Sequence, residues 1–254
     1  VLVKRETLLE AEELYNLIVR EKVNCAEFVP AVLRNVVNYL EKSGKNLHSI
    51  NTLIVGSDVW YVKEYKKFLE YCSDSVRLIN SFGLTEAAVD STFFEGDVTA
   101  YAEEKLVPIG RPFANSKIYI VDEHMNISPV GIPGELLIAS PNIARGYFGR
   151  PDLTAEKFIP NPFTSVPGER IYCTGDLARW LSDGNVEFLG RMDLQVKIRG
   201  FRVELGEVEA VIEKYFGIDH SVVVVREDQP DNQRIVGYAT ALNGKHIDVS
   251  LLRA

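Results

Sequence analysis

The stretch VRLINSFGLTE, residues 76–86, decides the fold of this chain. It starts as an apolar run of strand length and continues into a loop that carries an aromatic ring, a glycine, a hydroxyl and a carboxylate. An earlier apolar run, residues 53–55, ends similarly at Gly56, Ser57 and Asp58. Short apolar strands that alternate with amphipathic helices are typical of a parallel sheet with helices on its faces. The sequence therefore predicts an α/β layer over residues 1–95.

Helices and strands alternate on both sides of these runs. Leucine and isoleucine recur on one face over residues 7–21, which predicts a helix capped by Thr7. We expect a strand near Cys25–Phe28, a helix that Pro30 opens, and a helix over residues 59–72 that Asp58 caps.

The pattern changes after about residue 95. Runs near Lys117–Val121 and residues 135–139 are separated by turns rich in proline and glycine, and residues 177–189 read as a hairpin around a Ser-Asp-Gly-Asn turn. Residues 96–192 are therefore predicted to form a small antiparallel or β-barrel-like subdomain. From residue 193 a basic strand pair, a helix over 204–216 and strands at 221–226 and 234–241 predict the start of an α+β unit, residues 193–254.

Composition excludes several classes of protein. The 254 residues carry a net charge of −8, with 46% hydrophobic and 25% charged residues, which are ordinary values for a globular chain. The acidic balance argues against general nucleic-acid binding. The three cysteines are far apart and indicate free thiols in a reducing compartment, so we expect a cytoplasmic protein. No apolar run is long enough to span a membrane, and the start without Met predicts a piece of a longer chain.

The loop of the deciding stretch is a candidate nucleotide site. Ligands of open α/β sheets bind beyond the carboxyl ends of the strands, which is where Phe82, Gly83, Thr85 and Glu86 fall. Such residues can supply a stacking face, close backbone approach, a phosphate contact and a Mg²⁺ ligand. An ordinary turn with a solvated glutamate is the alternative that the residues leave open.

Two later blocks are compatible with the same chemistry. In Thr174-Gly175-Asp176, a carboxylate beside a glycine turn can accept hydrogen bonds from the vicinal hydroxyls of a ribose, although a tight turn before the hairpin explains it equally. The cations of residues 190–202 can bind a phosphate or simply decorate an exposed strand. Residues 143–154 are interpreted as a structural loop followed by a capped helix.

These blocks, in this order and spacing, resemble the amino-acid-activating adenylation domains of nonribosomal peptide synthetases. The matching stretches are NSFGLTE, GELLIASPNIARGYFGRPDLTAEKF, YCTGDLARW and GRMDLQVKIRGFRVELGEVE. The resemblance implies part of the ANL adenylate-forming fold: the later core and the start of a mobile C-terminal lid. It also implies an enzyme that uses ATP and Mg²⁺ to form an aminoacyl adenylate. The aminoacyl group would then pass as a thioester to a phosphopantetheinyl carrier protein, with neighbouring synthetase modules as further partners.

Carried over residue by residue, the resemblance assigns roles to individual positions. Phe82 would stack on adenine, Thr85 would contact the α-phosphate, and Glu86 would bind Mg²⁺. Asp176 would hold the ribose hydroxyls. The remaining nucleotide contacts implied are Ser57, Phe188 and Arg191. In the lid, Asp193 would be the hinge, and Lys197 and Gly200 would face the active site when a carrier domain docks.

The resemblance also implies an amino-acid side-chain pocket. Its lining positions in this chain are Glu27, Ile54, Gly56, Ser81, Val89 and Asp90. Two carboxylates in a small pocket repel each other and resist desolvation, and a cationic substrate would remove both penalties. This favours ornithine, then lysine or arginine. If Glu27 or Asp90 faces solvent, or Glu27 is misaligned by a residue, an aromatic or neutral polar substrate is the alternative.

The sequence also departs from the family pattern. Phe82 stands where a tyrosine is usual, and Leu84 stands where a proline is common. The phosphate loop expected upstream and the catalytic lysine expected downstream do not occur in these residues, so the chain alone should activate substrate poorly. The alternatives are an acyl- or aryl-coenzyme A ligase of the same superfamily and a non-catalytic fragment that needs a missing N-terminal part.

Overall fold

The computed structural model describes residues 1, 3–198, 201–215, 217–228 and 233–242. The chain divides into two compact units, Val1–Met192 and a second that begins at Asp193. The helices are α1 (Arg5–Leu9), α2 (Ala11–Arg20), α3 (Pro30–Ser43), α4 (Val62–Leu69), α5 (Pro151–Lys157) and α6 (Leu205–Glu213). None of the helices in these described ranges is long and apolar enough to cross a membrane.

The first unit contains two sheets. The strands of the first sheet, in spatial order, are β1 (Cys25–Phe28), β2 (Thr52–Val55), β3 (Arg77–Phe82), β4 (Thr92–Glu95) and β5 (Arg111–Pro112). The second sheet contains β6 (Lys117–Val121), β7 (Gly134–Ala139), β8 (Phe158–Pro160), β9 (Arg170–Trp180) and β10 (Val186–Arg191).

The first sheet is mixed, which corrects the parallel sheet expected from the sequence. Strands β1, β2 and β3 are parallel, but β4 and β5 run antiparallel and extend the sheet past residue 95. The reason lies in the connection from Phe82 to Thr92, because a parallel crossover needs a dozen or more residues and this link is shorter. The chain therefore returns directly beside β3, which places a tight turn at the end of that strand.

One face of the first sheet is covered by α2, α3 and α4. Leu53, Val55 and Leu78 point into this core and are almost completely buried. Because successive side chains of a strand alternate between faces, Glu27 and Ile54 lie on the opposite face. That face therefore carries two of the side chains assigned to the pocket, Glu27 and Ile54.

Two predicted helices differ from those observed. The helix expected over residues 7–21 is broken at Glu10, whose backbone is extended, with φ −101° and ψ 97°. The helix expected from residue 59 begins at Val62, and the Glu64 carboxylate accepts the Tyr61 N–H at 2.9 Å. The preceding residues pair with another segment instead, as the bond from the Val107 N–H to the Trp60 carbonyl shows. Asp58 accepts the N–H of its neighbour, Val59, at 2.8 Å, and the N-cap of α4 is Tyr61 instead.

The second sheet is antiparallel, as predicted, in the order β10-β9-β7-β6 with β8 on the edge of β9. Within the described residues it stays open, so the barrel-like form is wrong. One face packs through Ile120, Leu136 and Ile138 into a cluster that includes Phe82 and Leu84. The end of β3 and the turn after it are therefore packed against the second sheet.

The second unit has an α+β composition. Strands β11 (Gln195–Ile198) and β12 (Phe201–Glu204) form an antiparallel pair, as do β13 (Ile218–Glu227) and β14 (Gln233–Ala241). Helix α6 is joined to β13 by the Glu209 side chain, whose Oε1 accepts the Val223 N–H at 2.8 Å. The helix ends at Glu213 rather than at the predicted residue 216, which is outside the described residues.

Candidate active site

The turn after β3 folds tightly back on its own strand. It contains a short 3₁₀ helix, Thr85–Ala87, and then Val89 with a φ of 74°. Gly83 makes this path possible, because a Cβ there would lie 1.6 Å from the Val89 carbonyl oxygen. The turn leaves Thr85 exposed and buries Glu86, which is 8% exposed. A hydroxyl and a carboxylate thus occupy the carboxyl end of β3, as the sequence predicted.

The Glu86 carboxylate has a hydrogen-bond partner that the sequence did not reveal. The Tyr147 hydroxyl donates to Glu86 Oε1 at 2.8 Å and lies 3.1 Å from the Tyr172 hydroxyl. Burial, with the contacts to Tyr172 and Glu86, raises the pKa of Tyr147 above its ordinary value, so its hydroxyl remains a donor. The backbone is fixed as well, because the Ala144 N–H donates to the Glu86 carbonyl at 2.8 Å. Residues 143–147, which the sequence suggested were merely structural, therefore contact the candidate site.

This loop is itself anchored. The Arg170 guanidinium donates to the Ala144 carbonyl at 2.8 Å and to the next carbonyl at 3.1 Å. The Thr154 hydroxyl accepts the Tyr147 N–H at 2.9 Å. Gly146 has a φ of +147°, and a Cβ there would meet the Thr154 methyl at 2.3 Å. Helix α5 and strand β9 together set where the Tyr147 hydroxyl points.

Asp176 lies in a second polar cluster, on β9. It is 1% exposed, and Arg191 Nη1 donates to its Oδ1 at 2.8 Å and to the Thr174 carbonyl at 2.8 Å. The Thr174 hydroxyl accepts the Asp176 N–H, and the Glu135 carboxylate accepts the Gly175 N–H, both at 2.9 Å. The turn is thus held from both sides, and a ribose that reaches Asp176 has to share its carboxylate with Arg191.

A bulge in β10 determines how the Phe188 and Arg191 side chains are directed towards Phe82 and Asp176. The register with β9 shifts between Phe188 and Gly190, and Arg191 then pairs with Asp176. Bulges of this kind re-aim side chains. The Phe188 ring lies 6.1 Å from the Phe82 ring, at an angle of 37°. Phe82 is only 7% exposed whereas Phe188 is half-buried, so Phe188 offers a purine the larger accessible surface.

Most of the positions assigned to the pocket lie around the carboxyl end of β2. Glu27 and Ile54 are direct neighbours on parallel strands. Gly56 follows β2 and abuts β3, since a Cβ there would lie 2.5 Å from the Ser81 hydroxyl oxygen. Glycine at this position therefore allows the end of β2 to approach Ser81 more closely than a side chain would permit.

The two acidic pocket positions differ in environment. Asp90 is half-buried, and burial raises the pKa of its carboxyl, while the Ser81 hydroxyl beside it acts in the opposite direction. That hydroxyl makes no hydrogen bond of ordinary geometry with the described residues. Glu27 is exposed, and Val89 is 63% exposed. Asp90, rather than Glu27, is the carboxylate for which a positive partner would matter most.

The remaining predicted positions are more scattered. Ser57 is exposed after β2 with a φ of 71°. Asp193 and Lys197 belong to the second unit, where Asp193 Oδ1 accepts the Gln195 N–H at 3.0 Å and Lys197 is half-buried on β11. Gly200 lies outside the described residues.

The site residues suit a Mg²⁺ ion that is bound mainly by a nucleotide. The part of the chain that the structure describes has no group of three or more histidine, cysteine, aspartate or glutamate side chains able to hold a metal alone. Mg²⁺ in nucleotide enzymes is commonly held by one or two carboxylates and the substrate phosphates. The buried, oriented carboxylate of Glu86 fits that arrangement.

Comparison with known proteins gives a consistent result. Residues 1–148 match the family described as AMP-binding enzyme. The chain is 43% identical over 249 residues to gramicidin S synthase 2 of Brevibacillus brevis, covering 98% of this chain and 6% of that protein. It therefore spans only a small part of the curated relatives that it matches.

Solved structures agree with this result. An artificially fused adenylation–PCP di-domain synthetase from Klebsiella oxytoca matches with a TM-score of 0.80 and 24% identity, over 100% of this chain and 44% of that one, which supports the fold. A holo four-domain nonribosomal peptide synthetase, bound to AMP and glycine, matches with a TM-score of 0.66 and 30% identity, over 98% and 18% of the two chains.

Proposed function

This chain belongs to the AMP-binding enzyme family, and from that premise we propose that it is part of an amino-acid-activating adenylation domain of a nonribosomal peptide synthetase. The complete protein would join an amino-acid carboxylate to the α-phosphate of ATP and release pyrophosphate. It would then transfer the aminoacyl group to the thiol of a phosphopantetheinyl carrier protein. The similarity to synthetases over 98% of the chain supports this reading.

The observation that carries the proposal is the buried, hydrogen-bonded carboxylate of Glu86 at the carboxyl end of β3. Glu86 would hold Mg²⁺, and Thr85, exposed on the same turn, would contact the α-phosphate. When bound, Mg²⁺ neutralises charge that develops on the phosphate oxygens. A preorganised carboxylate suits this role, since fixed charges need no reorganisation during the reaction.

The nucleoside would be bound by the second cluster. Asp176 would accept bonds from the ribose hydroxyls, and Arg191, which already holds Asp176 in place, would lie beside them. Phe188 and Phe82 would pack on adenine, and Ser57 would add a polar contact. The similarity to a synthetase structure bound to AMP supports a nucleotide at this site.

The second unit would act as the start of the lid. Asp193, at the boundary between the two units, would be the hinge, and Lys197 would lie on the lid segment that faces the active site when the carrier protein docks. The similarity to adenylation–PCP proteins supports a carrier domain as the partner, together with neighbouring synthetase modules.

For the amino acid we propose a basic side chain, with ornithine first and then lysine or arginine. Support comes from Asp90, where a cation would compensate the burial that raises the pKa of its carboxyl. Gly56 has no side chain to compete with the substrate, and it lies close to Ser81, whose hydroxyl oxygen would be 2.5 Å from a Cβ there. Glu27 is exposed and would contribute only from the rim.

The experiment is ATP–pyrophosphate exchange with a panel of amino acids, on this chain and on the complete protein. We expect exchange in the complete protein, with basic amino acids ranked first, and its loss on Glu86→Gln but not on Glu103→Gln at an exposed position. Exchange driven by aryl or fatty acids instead would indicate a coenzyme A ligase. Exchange that survives Glu86→Gln within a few-fold would contradict the metal assignment.

A further inference from the structure

We infer that Tyr147 is a positioning residue for the metal-binding carboxylate of Glu86. The inference rests on the proposed function, because it concerns how a Mg²⁺ ligand is held. It assigns a role to a residue 61 positions away in the sequence, in a loop that has no obvious chemistry of its own.

The first step in the argument is the hydrogen bond itself. A carboxylate on a glutamate side chain can rotate about its terminal torsion, which is broad and roughly twofold. The Tyr147 hydroxyl fixes one oxygen, Oε1, at 2.8 Å. A neutral donor stabilises the ionised carboxylate in a buried place, and a carboxylate that binds a metal must be ionised. Hydrogen bonds of this kind orient the ligands of metal sites.

The second step is that the donor cannot easily leave. The Tyr147 ring packs edge-on against the Phe158 ring, 5.4 Å away at 69°. The Tyr172 hydroxyl lies 3.1 Å behind the donor oxygen, and Tyr172 is 1% exposed. The hydroxyl is therefore held by packing and by a second hydroxyl that is itself buried.

The third step is that the same loop holds the backbone of Glu86. The bond from the Ala144 N–H to the Glu86 carbonyl fixes the main chain, and Arg170 ties Ala144 to β9. Residues 143–147 therefore fix both the backbone of Glu86 and the position of its carboxylate. A loop with only a packing role would not need to bind the side chain.

The test is made in the complete protein with Tyr147→Phe, which keeps the ring and removes the hydroxyl. Calorimetry measures the affinity for ATP with Mg²⁺, and separately for AMP without metal. We expect the affinity for ATP with Mg²⁺ to weaken about tenfold, the lower range for loss of a group that orients a metal ligand. The affinity for AMP should stay within about twofold, since that nucleotide brings no metal. Tyr101→Phe, which removes a hydroxyl bonded to the exposed Asp183, is the matched control and should change neither value.

A double variant decides whether Tyr147 acts through Glu86. Glu86→Gln alone should weaken the affinity for ATP with Mg²⁺, and adding Tyr147→Phe to it should cause no further loss. Additive losses, or equal losses for AMP and for ATP with Mg²⁺, would overturn the inference and indicate a structural role. If Tyr147→Phe has no effect while Glu86→Gln does, the inference fails and the proposed function stands. If Glu86→Gln has no effect, both the metal assignment and the inference are wrong.

Discussion

Arg191 and Asp176 face each other across β9 and β10, with Arg191 Nη1 2.8 Å from Asp176 Oδ1. Their side chains are 12% and 2% exposed, so this pair is far less accessible to water than Arg77 with Glu95, whose side chains are 60% and 31% exposed. Buried and exposed ion pairs respond differently when one partner is removed, and the contrast gives the first prediction.

Arg191→Met should destabilise the protein by about 3 kcal/mol, because it leaves the Asp176 carboxylate buried without its cation. The matched change Arg77→Met, at an exposed pair, should cost much less, because water already solvates both of its charges. Urea unfolding followed by circular dichroism measures both. Similar costs for the two variants would show that water reaches Asp176.

A second prediction concerns the turn that carries Glu86. Gly83→Ala should unfold this turn or weaken it severely, since the new Cβ would collide with the Val89 carbonyl oxygen. We expect a lower melting temperature together with loss of adenylation. Gly206→Ala, in a helix where a Cβ meets nothing within 4 Å, should be neutral or slightly stabilising. Normal adenylation by the Gly83 variant would contradict the observed path of the backbone.

The third prediction is the pH dependence of stability at Asp90. Its carboxyl has a raised pKa in the folded protein, because burial disfavours the charged form. The folded state therefore binds this proton more tightly than the unfolded state, and the contribution to stability falls as the pH rises through the raised pKa. Asp90→Asn should melt higher than the wild type near neutral pH, and the difference should vanish at low pH, where Asp90 is protonated in both states. Melting curves from about pH 2.5 to pH 7 test the sign, because the ordinary pKa of an aspartate is about 3.9.

The same variant provides a fourth prediction, on specificity. A hydrogen bond to a charged group is worth about 1.5–3 kcal/mol, so Asp90→Asn should reduce activation of ornithine tenfold or more relative to a neutral amino acid. Glu27→Gln, at an exposed position, should change the ratio much less. A wild type that ranks ornithine, lysine and arginine below neutral amino acids would refute the charge argument.

The hinge gives a fifth prediction. Asp193→Pro fixes φ at about −65° and so should hold the lid in one orientation. Because adenylation and thioester formation would need different lid orientations, the rates of the two steps should fall by different factors. Asp193→Ala is the control, since it removes the side chain that accepts the Gln195 N–H but does not fix φ. If the proline variant loses adenylation and thioester formation by the same factor relative to the wild type, Asp193 is not a hinge.

The sequence predicted the elements that are set by short-range patterns of apolar and turn residues. The apolar runs gave β2 and β3, and the glycine turn gave the hairpin of β9 and β10. The reversal of β4 was missed although the short link from Phe82 to Thr92 carried a signal for it. The break at Glu10 had no signal, since an amphipathic pattern continues across it.

Long-range contacts were the part that the sequence did not reveal. Nothing in residues 143–147 indicates that a tyrosine there will bind Glu86, because that contact depends on where β9 and α5 place the loop. The sequence also did not indicate how exposed the rings of Phe82 and Phe188 are. Phe82 matches the motif, yet Phe188 has the more accessible ring, since packing against the second sheet covers Phe82.

The turn between β3 and β4 carries Glu86 and Asp90 on one closed loop of backbone, locked where Gly83 passes the Val89 carbonyl. Under the proposed function, the group that binds the metal and the group that selects the amino acid cannot be moved independently. Anyone who recombines synthetases to change the incorporated residue should therefore transplant the loop whole, from Phe82 to Thr92, and put the crossover points in the flanking strands. Changes that shift the backbone at Asp90 would also shift the turn that carries Glu86, so altered selectivity would come with slower turnover.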